Sequence, residues 1–161
     1  MKMKRSSIIL IVVLVVIAIP IVWYLTSPLF LDKVVDEDIP SSGTGADPGS
    51  VSGDSENVIV ISEGSFSGAD SFHQVSGEAK IVSVDGQEYL RLEDFESTNG
   101  PDLKVYLSND LNADDYVSLG ELKGNIGNQN YELSGIDYDN YKYVLIWCER
   151  FSVLFGSSEI E

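Results

Sequence analysis

The sequence is poor in the residues that build redox and hydrolytic sites. It has one cysteine, Cys148, and one histidine, His73, and its only methionines are Met1 and Met3. A single cysteine excludes an internal disulfide. A blue-copper centre needs a second histidine and usually an axial methionine, so this inventory excludes one. The sequence also lacks a nucleophile elbow, a P-loop, a dinucleotide fingerprint and a CxxC motif, so it presents no catalytic constellation and no case for a hydrolase.

Basic residues are scarce as well. The 161 residues include 10 lysines and arginines against 26 aspartates and glutamates, a formal net charge of −16. Nucleic acid and anionic membrane surfaces both repel a chain with this acidic excess. We therefore expect no nucleic-acid partner, and we interpret most of the acidic residues as a solvated surface.

One long apolar run lies near the N-terminus. Residues 8–25 are eighteen consecutive apolar residues. At about 1.5 Å per residue they would form a helix of about 27 Å, close to the hydrocarbon thickness of a bilayer. Lys2, Lys4 and Arg5 precede the run, which favours a cytoplasmic N-terminus. We predict that residues 1–31 are a cytoplasmic stub and a single-pass transmembrane anchor in the cell membrane, with the rest of the chain outside.

The alternative for this run is a cleaved signal peptide. The run is long for a signal core, and no A-x-A-type cleavage site follows it. These two features favour an uncleaved anchor.

Residues 32–57 differ sharply in composition from the run before them. They are rich in Gly, Ser, Pro and acidic residues and have almost no large apolar residue after Ile39. Such a segment cannot bury enough apolar surface to offset the entropy lost on ordering. We therefore predict a flexible acidic linker over residues 32–57 that holds the following domain away from the lipid.

Residues 58–161 have the pattern of a β domain. Short runs rich in β-branched and aromatic residues alternate with Gly, Asn and Asp, and Asp85-Gly86 is the strongest hairpin signal. We interpret the glycine-rich residues 124–128 as a turn. The predicted strands are residues 57–62, 79–84, 88–93, 103–108, 116–119, 130–133, 142–147 and 151–156. About eight short antiparallel strands predict an all-β domain, a sandwich or a barrel-like fold.

The most apolar stretch of this domain, residues 143–155, contains Cys148. Apolar residues occupy both parities from Tyr143 to Trp147, which predicts a strand buried on both faces. Glu149 and Arg150 interrupt the run, so we expect the chain to turn there. Cys148 is then expected at the rim of a core hairpin, next to solvent.

Six blocks of the domain follow one another as residues 64–66 (GSF), 73–79 (HQVSGEA), 90–95 (LRLEDF), 98–108 (TNGPDLKVYLS), 119–131 (LGELKGNIGNQNY) and 146–156 (IWCERFSVLFG). Together they resemble the electron-transfer DM13 domain family, over residues 63–160. The resemblance implies an extracytoplasmic β-rich module that in some relatives accompanies haem-binding redox domains. It also implies a redox role for the signature cysteine, here Cys148. The sequence contains no second redox domain, which weakens an electron-relay role for the chain alone. A haem or another redox cofactor would have to come from a partner.

A redox thiol at Cys148 would need exposure and a cation that stabilises the thiolate. Arg150, two residues further on, is the candidate cation, whereas Glu149 and the overall negative charge disfavour an anion. The alternative is a small buried apolar residue in a core strand, which is how free cysteine commonly behaves.

Metal sites have weak support. His73 and Cys148 are too few ligands for a typical zinc or haem site, and we expect His73 to hydrogen-bond within its own turn. Residues 110–121 resemble an EF-hand calcium loop but lack the glycine at position six, and their flanks are strand-like. The oxygen ligands there would be Asp110, Asn112, Asp114, Ser118 and Glu121. In so acidic a chain this spacing arises readily by chance, and a solvated acidic loop is the favoured interpretation.

These observations lead to two functional hypotheses. The first is a membrane-anchored extracytoplasmic domain that transfers electrons through Cys148, with a redox protein as its partner. The second is a non-enzymatic surface binding or adhesion module in which Cys148 is structural. The two hypotheses differ in whether the thiol reacts while the protein is folded.

Overall fold

The computed structural model describes residues 5–26, 31–40 and 58–161, and within the helix it describes side chains from residue 13 to residue 23. These residues belong to two compact units, Met1–Leu31 and Asp32–Glu161. The first unit contains the one helix of the apolar run, and the second contains all the strands given below.

Helix α1, Arg5–Thr26, forms from the apolar run and contains Pro20. Its described apolar side chains are exposed, with 63% of Ile19 and 66% of Trp23 accessible to solvent. Among the residues that the structure describes, no helix is long and apolar enough to cross a membrane. The transmembrane span predicted at residues 8–25 is therefore not confirmed by these residues.

Residues 58–161 form an open β sandwich of two antiparallel sheets. One sheet has four strands in the order β1-β3-β4-β7, and the other has five in the order β2-β9-β8-β5-β6. This confirms the all-β prediction and selects the sandwich. The strands are β1 (Val58–Ser65), β2 (Ser67–Gly68), β3 (Val75–Val84), β4 (Gln87–Ser97), β5 (Leu103–Ser108), β6 (Tyr116–Glu121), β7 (Ile126–Glu132), β8 (Tyr143–Cys148) and β9 (Val153–Glu159). A short 3₁₀ helix, Tyr138–Asn140, precedes β8.

The turn between β3 and β4 is the one that the sequence predicted. Val84 pairs with Gln87, and the two residues between them, Asp85 and Gly86, have φ of 50° and 84°. Positive φ at both central residues is what a type I′ turn requires, and its twist matches that of the flanking strands.

The core lies between the two sheets and is built mainly from one face of each strand. β8 lies at the centre of the five-stranded sheet, between β5 and β9. Val144, Leu145 and Ile146 are fully buried, which confirms the prediction that this strand is covered on both faces. The core cluster includes Phe66, Val75, Ala79, Ile81, Leu90, Leu92, Phe95, Leu103, Val105, Leu107, Tyr131, Leu133, Val144, Ile146, Cys148 and Phe155.

The first residues of the predicted linker belong to the folded unit. Residues 32–38, here called the edge segment, lie beside β7, with a parallel bridge between Val34 and Ile126. This differs from the flexible linker that we predicted from residue 32 onward. Main-chain hydrogen bonds and charged side chains hold the segment, so its lack of apolar bulk did not prevent ordering. Residues 41–57 of the predicted linker lie outside the described residues.

β7 also differs from its prediction, because it begins at Ile126 rather than at residue 130. The glycine-rich residues 124–128 therefore lie partly in a strand rather than wholly in a turn. β4 pairs with one side of β7 and the edge segment lies along the other, so this polar strand has main-chain partners on both sides.

Candidate functional site

Cys148 lies at the end of β8 with paired residues on both sides. It is opposite Leu103 of β5 and opposite Val153 of β9, and its side chain has no exposed surface. The expectation that Cys148 lies next to solvent is therefore wrong. Cys148 does end its strand just before the turn of residues 149–152, but it is paired on both sides and packs in the core cluster between the sheets, so its position at the end of β8 does not expose it.

Arg150 lies outside the core that contains Cys148. It lies exposed in the turn, and within the described chain it makes no hydrogen bond or ion pair. Glu149, also exposed, is held at its main chain, where its N–H donates to the Asp102 carbonyl oxygen over 2.9 Å. Among the described residues, no cationic group forms a hydrogen bond or ion pair with the thiol, and Cys148 packs in the apolar core cluster.

The opposite face of the same sheet carries three aromatic rings. Val105 and Leu107 point into the core, so Tyr106 between them points outward, and Trp147 does so between Ile146 and Cys148. The ring centroid of Tyr106 lies 4.3 Å from that of Tyr116 and 6.4 Å from that of Trp147, with the ring planes inclined by 20° and 27°. These three residues, the aromatic stack, join strands β6, β5 and β8.

Tyr106 at the centre of the stack is 1% exposed, whereas Tyr116 at one end is 44% exposed. The Tyr106 hydroxyl donates to Glu149 Oε1 over 3.5 Å. Burial and then the negative charge of Glu149 raise the pKa of Tyr106, so the phenol is protonated at neutral pH. The stack therefore connects an exposed ring to a buried phenol that has a carboxylate beside it.

A lysine neutralises part of the negative charge around the stack. Lys104 Nζ lies 3.3 Å from Asp102 Oδ1, 3.4 Å from Glu121 Oε1 and 3.7 Å from Glu149 Oε2. These distances describe a loose network at the sheet surface, where each pair contributes little to stability. Its main effect is to place the Glu149 carboxylate between a lysine and the Tyr106 phenol.

His73 hydrogen-bonds within its own turn, as the sequence predicted. Its Nδ1 lies 2.8 Å from Asp70 Oδ2, and its main-chain N–H donates to Asp70 Oδ1 over 2.9 Å. The hydrogen bonds from His73 and from the Phe72 N–H lower the pKa of Asp70 to about 2. His73 also packs against the ring of Phe155, with 4.4 Å between the centroids.

The acidic loop is organised by one of its own carboxylates. Asp110 accepts main-chain N–H groups of Asn112, Asp114 and Asp115 over 2.7, 3.2 and 3.2 Å. Its oxygens are therefore engaged as a loop cap, while Glu121 lies near Lys104. Among the described residues, no group of three or more His, Cys, Asp or Glu side chains is arranged to hold a metal ion.

The comparison with known protein families identifies the family to which this chain belongs. The model of the family described as electron transfer DM13 matches residues 65–160, more than half of the chain. The chain belongs to the DM13 family. No curated protein and no solved structure matches it.

The DM13 match contains Cys148 and all three members of the aromatic stack. Reasoning from the sequence concentrated on the cysteine and missed the stack. A signal was present, because Lys104 and Tyr106 alternate with the core residues of β5, and Trp147 has the opposite parity to Cys148. What the sequence does not reveal is that Tyr116, from another strand, lies over Tyr106.

Proposed function

We propose that this DM13 domain transfers electrons through its aromatic stack. The observation that carries the proposal is the continuous contact of three oxidisable rings across β6, β5 and β8, with Tyr106 buried at the centre. Apart from cysteine thiols, tyrosine and tryptophan are the protein side chains that are most readily oxidised by one electron. Membership of a family described as electron transfer supports the same function.

The proposed step is a proton-coupled oxidation of Tyr106. A one-electron oxidant held by a redox partner, with a reduction potential above that of the phenol, takes one electron from Tyr106 and is reduced. The phenolic proton passes along the existing hydrogen bond to Glu149 Oε1, which leaves a neutral tyrosyl radical and a protonated carboxyl. Exposed Tyr116 offers the route by which the partner reaches Tyr106, since the two rings are stacked.

We expect Tyr106→Phe to lose most of the tyrosyl radical that wild-type protein forms under a flash-generated ruthenium(III) oxidant. Phenylalanine keeps the ring and the packing but has no phenolic hydroxyl, so the side chain at position 106 can no longer be oxidised by the ruthenium(III) oxidant. Electron paramagnetic resonance after freeze-quenching measures the radical. Tyr89→Phe is the matched control, because Tyr89 lies on the other sheet, and it should keep the wild-type yield. An undiminished radical signal in Tyr106→Phe would refute the proposed route.

The earlier hypothesis of a redox thiol at Cys148 requires a different process. With no exposed surface, the thiol reaches a partner only if the hairpin of β8 and β9 opens. Arg150 lies in the exposed turn and is available as a thiolate partner only in such an opened state. The alkylation experiment in the Discussion distinguishes this mechanism from the aromatic route.

A second candidate function is a non-enzymatic binding module, in which Cys148 only packs the core. Its support is the exposure of two large aromatic side chains, Phe72 at 82% and Phe151 at 65%. Exposed aromatic residues are enriched in protein interfaces. This function would need a surface partner, whereas the electron-transfer function needs a partner with a redox centre.

We further propose that residues 8–25 attach the domain to the cell membrane, with the domain outside. The support is the unbroken apolar sequence, the basic residues before it, and the exposure of every large apolar side chain described in α1. We expect the full chain to remain in the membrane fraction after alkaline carbonate extraction and to be cleaved by protease added outside intact cells. Recovery of a soluble chain that begins near Asp32 would contradict this proposal.

A further inference from the structure

The edge of β7 is built to hold an extended strand. The Val35 N–H donates to the Ile126 carbonyl oxygen over 2.9 Å, and the Glu37 N–H donates to the Asn128 carbonyl oxygen over 2.9 Å. The Ile126 N–H returns a bond to the Lys33 carbonyl oxygen over 3.4 Å. This alternation is the hydrogen-bond pattern of strand addition at a sheet edge.

Two glycines let the added strand approach closely. A Cβ on Gly124 would overlap the Lys33 carbonyl oxygen and would lie 2.8 Å from Val35 Cγ2. A Cβ on Gly127 would overlap the Val35 carbonyl oxygen. The three atoms nearest to such a Cβ on Gly124 all belong to the edge segment. The absence of a side chain at Gly124 therefore leaves the space that the added strand occupies.

The residues at the edge of β7 bind one carboxylate of the added strand, that of Glu37, through several hydrogen bonds. Lys123 Nζ lies 2.8 and 2.9 Å from the two Glu37 carboxylate oxygens, and the Asn130 N–H donates to Oε2 over 2.8 Å. Buried Arg91 donates from Nη1 to the Glu37 carbonyl oxygen over 3.1 Å. Burial raises the pKa of Glu37, but Lys123 and Asn130 lower it further than burial raises it, so the carboxylate stays charged.

Asparagine side chains hydrogen-bond to the rest of the added strand. Asn125 donates from Nδ2 to Asp32 Oδ1 over 2.9 Å, and its Oδ1 accepts the Lys33 N–H over 2.6 Å. Asn128 Nδ2 donates to Asp36 Oδ1 over 2.7 Å, and Asn130 Nδ2 donates to the Asp38 carbonyl oxygen over 2.8 Å. Residues 123–130 together with Arg91, here called the acceptor edge, thus contact the strand from Asp32 to Asp38.

We propose that the acceptor edge is a binding site for an extended acidic strand of the pattern Asp-x-x-Val-x-Glu, and that it accepts this strand from a second copy of the chain. The contacts are non-covalent, so residues 32–38 of another copy would make the same ones. Within one chain, residues 39–57 connect the segment covalently to β1, so binding of the internal strand is intramolecular and is favoured over binding of a second copy in dilute solution. Exchange between copies therefore competes when chains are concentrated or when the internal strand is weakened.

Complementation of two defective full-length chains tests this proposal. Val35→Pro removes a main-chain donor and disables the strand, while its acceptor edge is unchanged. Gly124→Val blocks the acceptor edge, while its strand is unchanged. The chains, kept in a mild detergent and labelled at their C-termini with donor and acceptor dyes, should show energy transfer only when the two variants are mixed. Introducing Glu37→Ala into the Gly124→Val chain should abolish the transfer.

A synthetic peptide of residues 32–38 keeps the test decisive if Gly124→Val does not fold. The labelled peptide should bind the Val35→Pro chain and bind wild type far more weakly, because the internal strand occupies that site. N-methylation of peptide Val35 should abolish binding. N-methylation of Val34, whose N–H donates to no atom of the acceptor edge among the described residues, should preserve it. Absence of peptide binding, or peptide binding without energy transfer between two folded variants, would overturn the proposal of exchange between copies.

Discussion

Iodoacetamide should modify Cys148 in the folded chain at least about a thousandfold more slowly than in urea-unfolded chain, because reaction requires the core to open. Cys148 has no exposed surface, and it lies in the central strand of the five-stranded sheet. Exposing its sulfur means separating β8 from β9 or from β5, which is close to global unfolding. Mass spectrometry of timed, quenched samples measures both rates.

Cys148→Ala combined with Arg150→Cys is the matched control for reagent access. It moves the single thiol two residues along, into the exposed turn, and should react nearly as fast as the unfolded chain. Rapid labelling of native wild type would show that the hairpin opens readily, and would restore the redox-thiol mechanism. If Cys148 is protected, Cys148→Ala should leave electron transfer intact and change stability alone.

Gln129→Ala should destabilise the domain by about 3–5 kcal/mol, because it creates a cavity and leaves buried main-chain groups without partners. Gln129 is fully buried. Its Nε2 donates to the Gly124 carbonyl oxygen over 2.7 Å, and its Oε1 accepts the Gly124 N–H over 3.2 Å and the Tyr131 hydroxyl over 2.9 Å. One side chain therefore satisfies both polar groups of Gly124 and one buried phenol. The midpoint of urea unfolding measures the loss.

Gln87→Ala is the control for this substitution. Gln87 is exposed and donates from Nε2 to Glu132 Oε1 at the surface, so its loss should cost no more than about 0.5 kcal/mol. A cost below about 1 kcal/mol for Gln129→Ala would contradict the assigned role, since a single unsatisfied buried group already costs that much.

Local features of the fold were predictable because they depend on neighbouring residues. Asp85-Gly86 specifies a type I′ turn through the φ values that only such residues adopt readily. The apolar residues on both parities of β8 predicted its burial on both faces. The six blocks that resemble the DM13 family led to the family that the comparison then showed.

The failed expectations share one cause, which is that distant parts of the chain supply the deciding contacts. Cys148 was expected near solvent, but Leu103 of β5 lies opposite it. The edge segment was expected to be flexible because it is polar, but Lys123 and the polar edge of β7 hold it through hydrogen bonds and an ion pair, with Val35 half-buried against Gly124. Composition alone does not show that these partners exist.

The sequence by itself determined that this protein has an apolar N-terminal helix and an acidic all-β domain of the DM13 family, because periodicity, turn residues and family blocks are properties of short stretches. Only the tertiary structure decided which side chains meet. It buried the lone thiol, stacked Tyr106 between Tyr116 and Trp147, and added residues 32–38 to the edge of β7. The physical reason is that strand pairing brings together residues far apart in sequence, and their burial and charge exist only once the strands have paired.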